Sequence, residues 1–179
     1  MAIKKGDMEG ESADNIIANF NSLPKGERVA LIYHLINELK KIEGMDSSQS
    51  SEITIPIGIF DNDFLSSLEA IVKYTREERK LKFSMIAKLL NRSNKTIWAT
   101  YSKSIKKMPS SLGNVSSKIL IPLSHFSNRK FSTLENLVGF IKDIGYSNHE
   151  IGVMLHLDDR TIWTVYDRVK KKRGIKLGK

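Results

Sequence analysis

Two short stretches of this 179-residue chain carry side chains suited to recognition: Ser93-Asn-Lys-Thr-Ile-Trp98 and Asp158-Asp-Arg-Thr-Ile-Trp163. Lys95 and Arg160 can donate to O6 and N7 of guanine, and Asn94 can bond an adenine edge, if a major groove comes within reach. Bond-making chemistry has no comparable footing. His34, His125, His149 and His156 lie scattered without metal-ligand spacing, and no His-Glu-x-x-His, phosphate loop or nucleophile elbow occurs. The lack of cysteine removes thiolate metal sites and a disulfide framework, and fits a reducing compartment. The expectation is therefore a non-enzyme that needs no catalytic residue, metal or cofactor.

Charge is divided unevenly along the chain. The formal net charge is +9, yet residues 1–52 hold six Lys/Arg against nine Asp/Glu, and residues 53–179 hold 23 against 11. A basic body on a mildly acidic head suggests that only the body meets a polyanion. No apolar run approaches the ~20 residues that span a bilayer, and the first residues lack the apolar stretch of a signal peptide. The sequence thus suggests a cytoplasmic protein with no membrane partner.

The recognition stretches belong to an internal repeat. Ile53-Thr-Ile-Pro-Ile-Gly-Ile-Phe60 returns as Ile119-Leu-Ile-Pro-Leu-Ser-His-Phe126, Ser66-Ser-Leu-Glu69 as Ser132-Thr-Leu-Glu135, and Thr96-Ile-Trp98 as Thr161-Ile-Trp163. One gap gives about 17 identities over about 54 aligned positions, as expected of a duplicated unit. Ser-rich residues 44–52 and Pro/Gly/Ser-rich residues 108–118 read as linkers. The chain thus divides into a head (1–43), a first repeat (53–107), a second repeat (119–173) and a basic tail (174–179), each repeat being expected to form a small domain of its own.

The elements that must position the recognition residues follow from local signals. Each repeat opens on an Ile-x-Ile-Pro segment, where proline and branched residues favour an extended arm. Ser66 with Glu69, and Ser132 with Glu135, have the spacing of a capping box, which marks a first helix. Its buried stripe is Leu68, Ile71, Val72 and Thr75 in one copy, and Leu134, Leu137, Val138 and Ile141 in the other. A second short helix covers residues 84–90 and 149–155. Ser93 and Asp158 then cap a third helix that runs into lysines, which its C-terminal dipole favours. The fold class expected is all-α: an N-terminal helical hairpin, then two tandem three-helix modules, each preceded by an arm.

Within each module Met85-Ile-Ala87, Leu90, Ser93, Thr96-Ile97 and Lys103-Ser104, and in turn Glu150-Ile-Gly152, Leu155, Asp158, Thr161-Ile162 and Arg168-Val169, resemble the helix-turn-helix of sigma factor region 4 and of response-regulator DNA-binding domains. The resemblance covers about 25 residues per copy. It implies that the third helix enters the major groove of double-stranded DNA with its N-terminal residues at base edges. Tryptophan stands where that family usually has a polar residue, and no sigma region 2 is present.

On a helical wheel Ile97, Tyr101 and Ser104 share one side, while Asn94, Lys95, Trp98, Ala99 and Ser102 fall on the other, as do Asp159, Arg160, Trp163, Thr164 and Asp167 in the second copy. The second side is the candidate reading face. Trp98 and Trp163 have two readings, contact with DNA or cover for the seam between helices, and packing is the commoner role of tryptophan beside a small core. Arg92, Lys103, Lys106 and Lys107, with Arg168, Lys170, Lys171, Lys172 and Arg173, are candidate phosphate contacts. In the head, Ile32, Leu35, Ile36 and Leu39 make an apolar stripe that one hairpin cannot bury, which suggests a homodimer or higher homo-oligomer. Three functions remain open: a sequence-selective transcription regulator, a nucleoid-associated protein that bridges or coats DNA, and a protein-interaction adaptor.

Overall fold

The computed structural model describes residues 10–42, 52–113, 115, 117 and 119–174. The first linker and the tail beyond residue 174 lie outside this set, apart from Glu52. Two compact units are formed, residues 1–44 and residues 45–179. The described chain is mostly helical.

The first unit holds α1 (Gly10–Ser22) and α2 (Lys25–Ile42), separated by Leu23 and Pro24. Ile16 and Ile17 on α1, and Ile32, Leu35, Ile36 and Leu39 on α2, are exposed. These α2 side chains are the apolar stripe read from the sequence.

In the second unit each repeat contributes a strand, a 3-10 turn and three helices. The first supplies β1 (Thr54–Pro56), the turn Ile57–Phe60, α3 (Ser67–Glu77), α4 (Phe83–Leu89) and α5 (Asn94–Lys107). The second supplies β2 (Leu120–Pro122), the turn Leu123–Ser127, α6 (Thr133–Asp143), α7 (Asn148–Leu155) and α8 (Asp159–Arg173). Both first helices start at complete capping boxes: Ser66 N–H donates to Glu69 at 2.8 Å and Ser132 N–H to Glu135 at 2.7 Å. Ile71, Val72 and Thr75, and Leu137, Val138 and Ile141, are buried along the expected stripes, while Leu68 and Leu134 are half-buried.

The repeats do not fold as separate domains. Their arms pair as an antiparallel ribbon with Ile55 opposite Ile121, and the ends are tied by Ile57 N–H to Ile119 O (3.0 Å) and Leu123 N–H to Ile53 O (2.7 Å). Ile55 and Ile121 are repeat equivalents, and the flanking contacts exchange with one another under the repeat, so the two halves are related by an internal twofold, the isologous arrangement of a symmetric dimer within one chain. Phe60 and Phe126 meet across this axis at 6.4 Å between ring centroids. The 3-10 turn of each half packs on the middle helix of the other, and α3 touches α6. Ile55, Ile59, Ile121, Leu123 and Phe126 are almost fully buried, and each such side chain contributes about 1.5–3 kcal/mol by leaving water. A repeat alone would expose these side chains, which is why the arms swap.

Candidate nucleic-acid interface

The last two helices of each half are joined by equivalent turns. Arg92 N–H donates to Ala87 O and Leu157 N–H to Gly152 O, both at 2.9 Å. The turn needs one left-handed residue: Asn91 at φ 50° in one half and His156 at φ 51° in the other. Asparagine tolerates this region through its short polar side chain, and both residues lie where a helix must reverse. Gly152 is required by close packing, since a Cβ there would stand 2.5 Å from Leu157 O. Ser93 and Asp158 then cap α5 and α8 through the N–H of Thr96 (3.1 Å) and Thr161 (2.7 Å).

These caps aim the first turns outward. Ile97 and Ser104 are fully buried and Tyr101 half-buried, against exposed Asn94, Lys95 and Trp98; Ala99 and Ser102 are half-buried. In α8, Ile162, Val165 and Val169 pack inward, Asp159, Arg160 and Trp163 are exposed, and Thr164 is half-buried. The structure thus groups Asn94, Lys95 and Trp98 on one surface and Asp159, Arg160 and Trp163 on the equivalent one.

Several candidates are placed otherwise. The tryptophans do not seal a core, because Trp98 is 59% exposed and Trp163 57%. Aliphatic Ile97 and Ile162 take the inward position instead, one residue earlier on each helix. Asp167 does not face outward: it is buried and pairs with Lys171 at 2.7 Å, one turn ahead, which neutralises its charge. Lys107 and Lys172 are not free cations, since they bind the capping-box carboxylates Glu69 (2.7 Å) and Glu135 (2.6 Å). Burial alone would raise both carboxyls, but the lysines and the Ser66 and Ser132 groups outweigh it and hold them below the usual range. Arg173 is held by Asp143 through two 2.8 Å bonds, and Lys170 lies over the Tyr166 ring. Arg92 crosses to the other half, donating to Thr133 Oγ1 at 3.1 Å. Lys95, Lys103, Lys106, Arg160 and Arg168 remain exposed, with no carboxylate partner among the described residues.

Sequence reasoning missed the contacts between halves. His156 Nε2 lies 2.5 Å from Asp61 and its Nδ1 3.0 Å from Asp63, so both ring nitrogens need a proton. The hydrogen bond to Asp63 leads the effects that raise this imidazole above its ordinary range, with Asp61 adding to them. Arg129 was likewise overlooked, since it stands 37 residues from Arg92 in the chain, yet its charge bears on the Arg92 guanidinium. Among the described residues no helix is long and apolar enough to cross a membrane, and no cluster of His, Asp or Glu is placed to hold a metal. No family model, curated protein or solved structure matches the chain.

Proposed function

We propose that the chain is a double-stranded DNA-binding protein whose α4–α5 and α7–α8 pairs act as tandem helix-turn-helix motifs. In this reading it serves as a sequence-selective transcription regulator in the cytoplasm. The observation that carries the reading is the duplicated outward face, where a cation and a bare tryptophan stand at matching positions on both third helices. A tryptophan more than half exposed gains nothing from the core, and its indole offers an apolar face and one donor to a partner. Lys95 and Arg160 then read base edges, and Lys103, Lys106 and Arg168 hold phosphates. The exposed stripe Ile32, Leu35, Ile36 and Leu39 joins copies of the chain, raising the effective concentration of the second DNA engagement.

One feature favours an architectural, nucleoid-associated role as a second reading. The first half has eleven Lys/Arg against five Asp/Glu, a surplus that attracts any phosphate backbone without choosing a sequence. The two readings separate on one titration. The full chain is mixed with duplex at several salt concentrations while the emission of Trp98 and Trp163 is followed. Regulation predicts a specific affinity at least ~10³-fold above the nonspecific one. A ratio near one supports the architectural role, and no change in emission or affinity with duplex removes both. Light scattering of the full chain tests the head, for which a monomer at working concentration is the contrary result.

A further inference from the structure

The crossed arms create two seams between the halves, related by the internal twofold. At each, the loop that follows one half's 3-10 turn meets the turn between the last two helices of the other half. At the first seam the chemistry is complementary, with Asp61 and Asp63 against His156. At the second, the loop brings Arg129 and the turn brings Arg92, and among the described residues no carboxylate pairs with either. Arg92 Nη2 reaches Thr133 Oγ1 at 3.1 Å, at the first residue of α6, while its Nε is buried without a hydrogen-bond partner. Burial, and after it the charge of Arg129, hold the Arg92 guanidinium below its ordinary value. A partly buried cation under the influence of a second cation is unfavourable until an anion offsets both.

We propose that Arg92, Arg129 and Thr133 form a phosphate-binding site that takes one backbone phosphate of duplex DNA beside the first turn of α5. The proposal rests on the DNA-binding reading above. Arg92 immediately precedes Ser93, the cap of α5, so a phosphate held there adjoins exposed Asn94 and Lys95. Two planar guanidiniums match the oxygens of a phosphate in forked geometry, and a fixed phosphate sets the register of the neighbouring base-reading residues. The second half has no such site, because Leu157 stands where Arg92 does and Asp61 and Asp63 line the loop opposite. The grip on DNA is therefore one-sided, with the first half clamped and the second half held by its helix alone.

The test is the salt dependence of duplex binding by the full chain and by Arg129→Ala, Arg92→Gln and Arg92→Lys. Arg129 is exposed, so its alanine variant keeps the fold. The site predicts that Arg129→Ala lowers the log–log salt slope by about 0.9 and weakens binding equally on two unrelated sequences, while Arg92→Lys retains most of the slope. A wild-type slope in both Arg129→Ala and Arg92→Gln overturns the site and leaves DNA binding standing. If the wild-type chain binds no duplex, the DNA reading fails instead, and inorganic phosphate followed through the arginine Nε–H signals decides. A shift at Arg92 that Arg129→Ala abolishes keeps the site for free phosphate, and no shift overturns it.

Discussion

The two halves cap their first and third helices at the same positions, place one left-handed residue at the same point of the turn and expose the same tryptophan, yet carry different charge. Around the first turn of α5 stand Ser93, Asn94 and Lys95; around that of α8 stand Asp158, Asp159 and Arg160, with Glu150 on the neighbouring helix. The contrast extends inward. In the first half Lys73 is wholly buried on α3 and binds Glu77 at 2.7 Å, which also accepts from Tyr101 OH at 3.2 Å. In the second half Gly139 stands at the place of Lys73, and Arg173 folds over it from α8, where a Cβ would lie 3.1 Å from the guanidinium. The same cation between first and third helix is thus supplied from opposite elements. The residues that set the helix starts and the turn occupy matching positions while the surrounding charge differs, so the halves share a fold and present different electrostatics.

The largest expected asymmetry lies in these ion pairs. Lys73→Ala leaves Glu77 in a mostly buried setting without its ammonium and costs about 3 kcal/mol or more, read as a lowered denaturant midpoint. Arg173→Ala breaks a solvent-screened pair and costs about 1 kcal/mol or less. Equal losses would erase the comparison. Next comes the turn: Gly152→Ala forces a Cβ onto Leu157 O and destabilises by about 1–3 kcal/mol, whereas Ala87→Gly at the equivalent place costs about 0.5–1 kcal/mol through backbone freedom. Matching effects would show that the two turns pack alike.

Smaller still is the effect of the tryptophans on folding. With both side chains more than half exposed, Trp98→Ala and Trp163→Ala shift stability by about 0.5 kcal/mol or less. A loss of several kcal/mol in thermal melts would return them to the core. The smallest effect is a pH signature. His156 is raised by its two aspartates, so the tie it makes is complete below the ordinary imidazole range and is lost as pH rises through its folded value. His125, on the second half's 3-10 turn where the first half has Ile59, is lowered first by burial against Phe126 and Phe140, so its folding penalty appears as pH falls below the ordinary range. Histidine NMR titration should show the two moving in opposite directions, and a common midpoint would contradict both environments.

What could be read in the sequence was what is decided within a turn of helix. Ser66-x-x-Glu69, Ser132-x-x-Glu135, Ser93 and Asp158 announce helix starts because cap and donor are three residues apart, and the 100° wheel correctly turns Ile97 and Ser104 inward. The rest depends on partners distant in sequence. Nothing in Ile-x-Ile-Pro says that one arm pairs with the other, because three residues carry no alternation long enough to fix a register. Lys107 and Lys172 looked like free cations because Glu69 and Glu135 lie 38 and 37 residues away. Asp167 was misplaced although its Lys171 partner is one turn ahead, since the wheel gives direction without the neutralising contact. Tryptophan is by type the commoner core residue, but the smaller isoleucine beside each one takes the inward position.

The central claim is that the outward faces of α5 and α8 bind duplex DNA. An anisotropy titration of one labelled duplex against the full chain and against Lys95→Ala/Arg160→Ala tests it directly, with melting temperatures taken on the same samples. A loss of about 1–3 kcal/mol per base contact, at least tenfold in affinity for the pair, with unchanged melting, is the predicted result. Equal affinity of the double variant and the wild-type chain would contradict the claim.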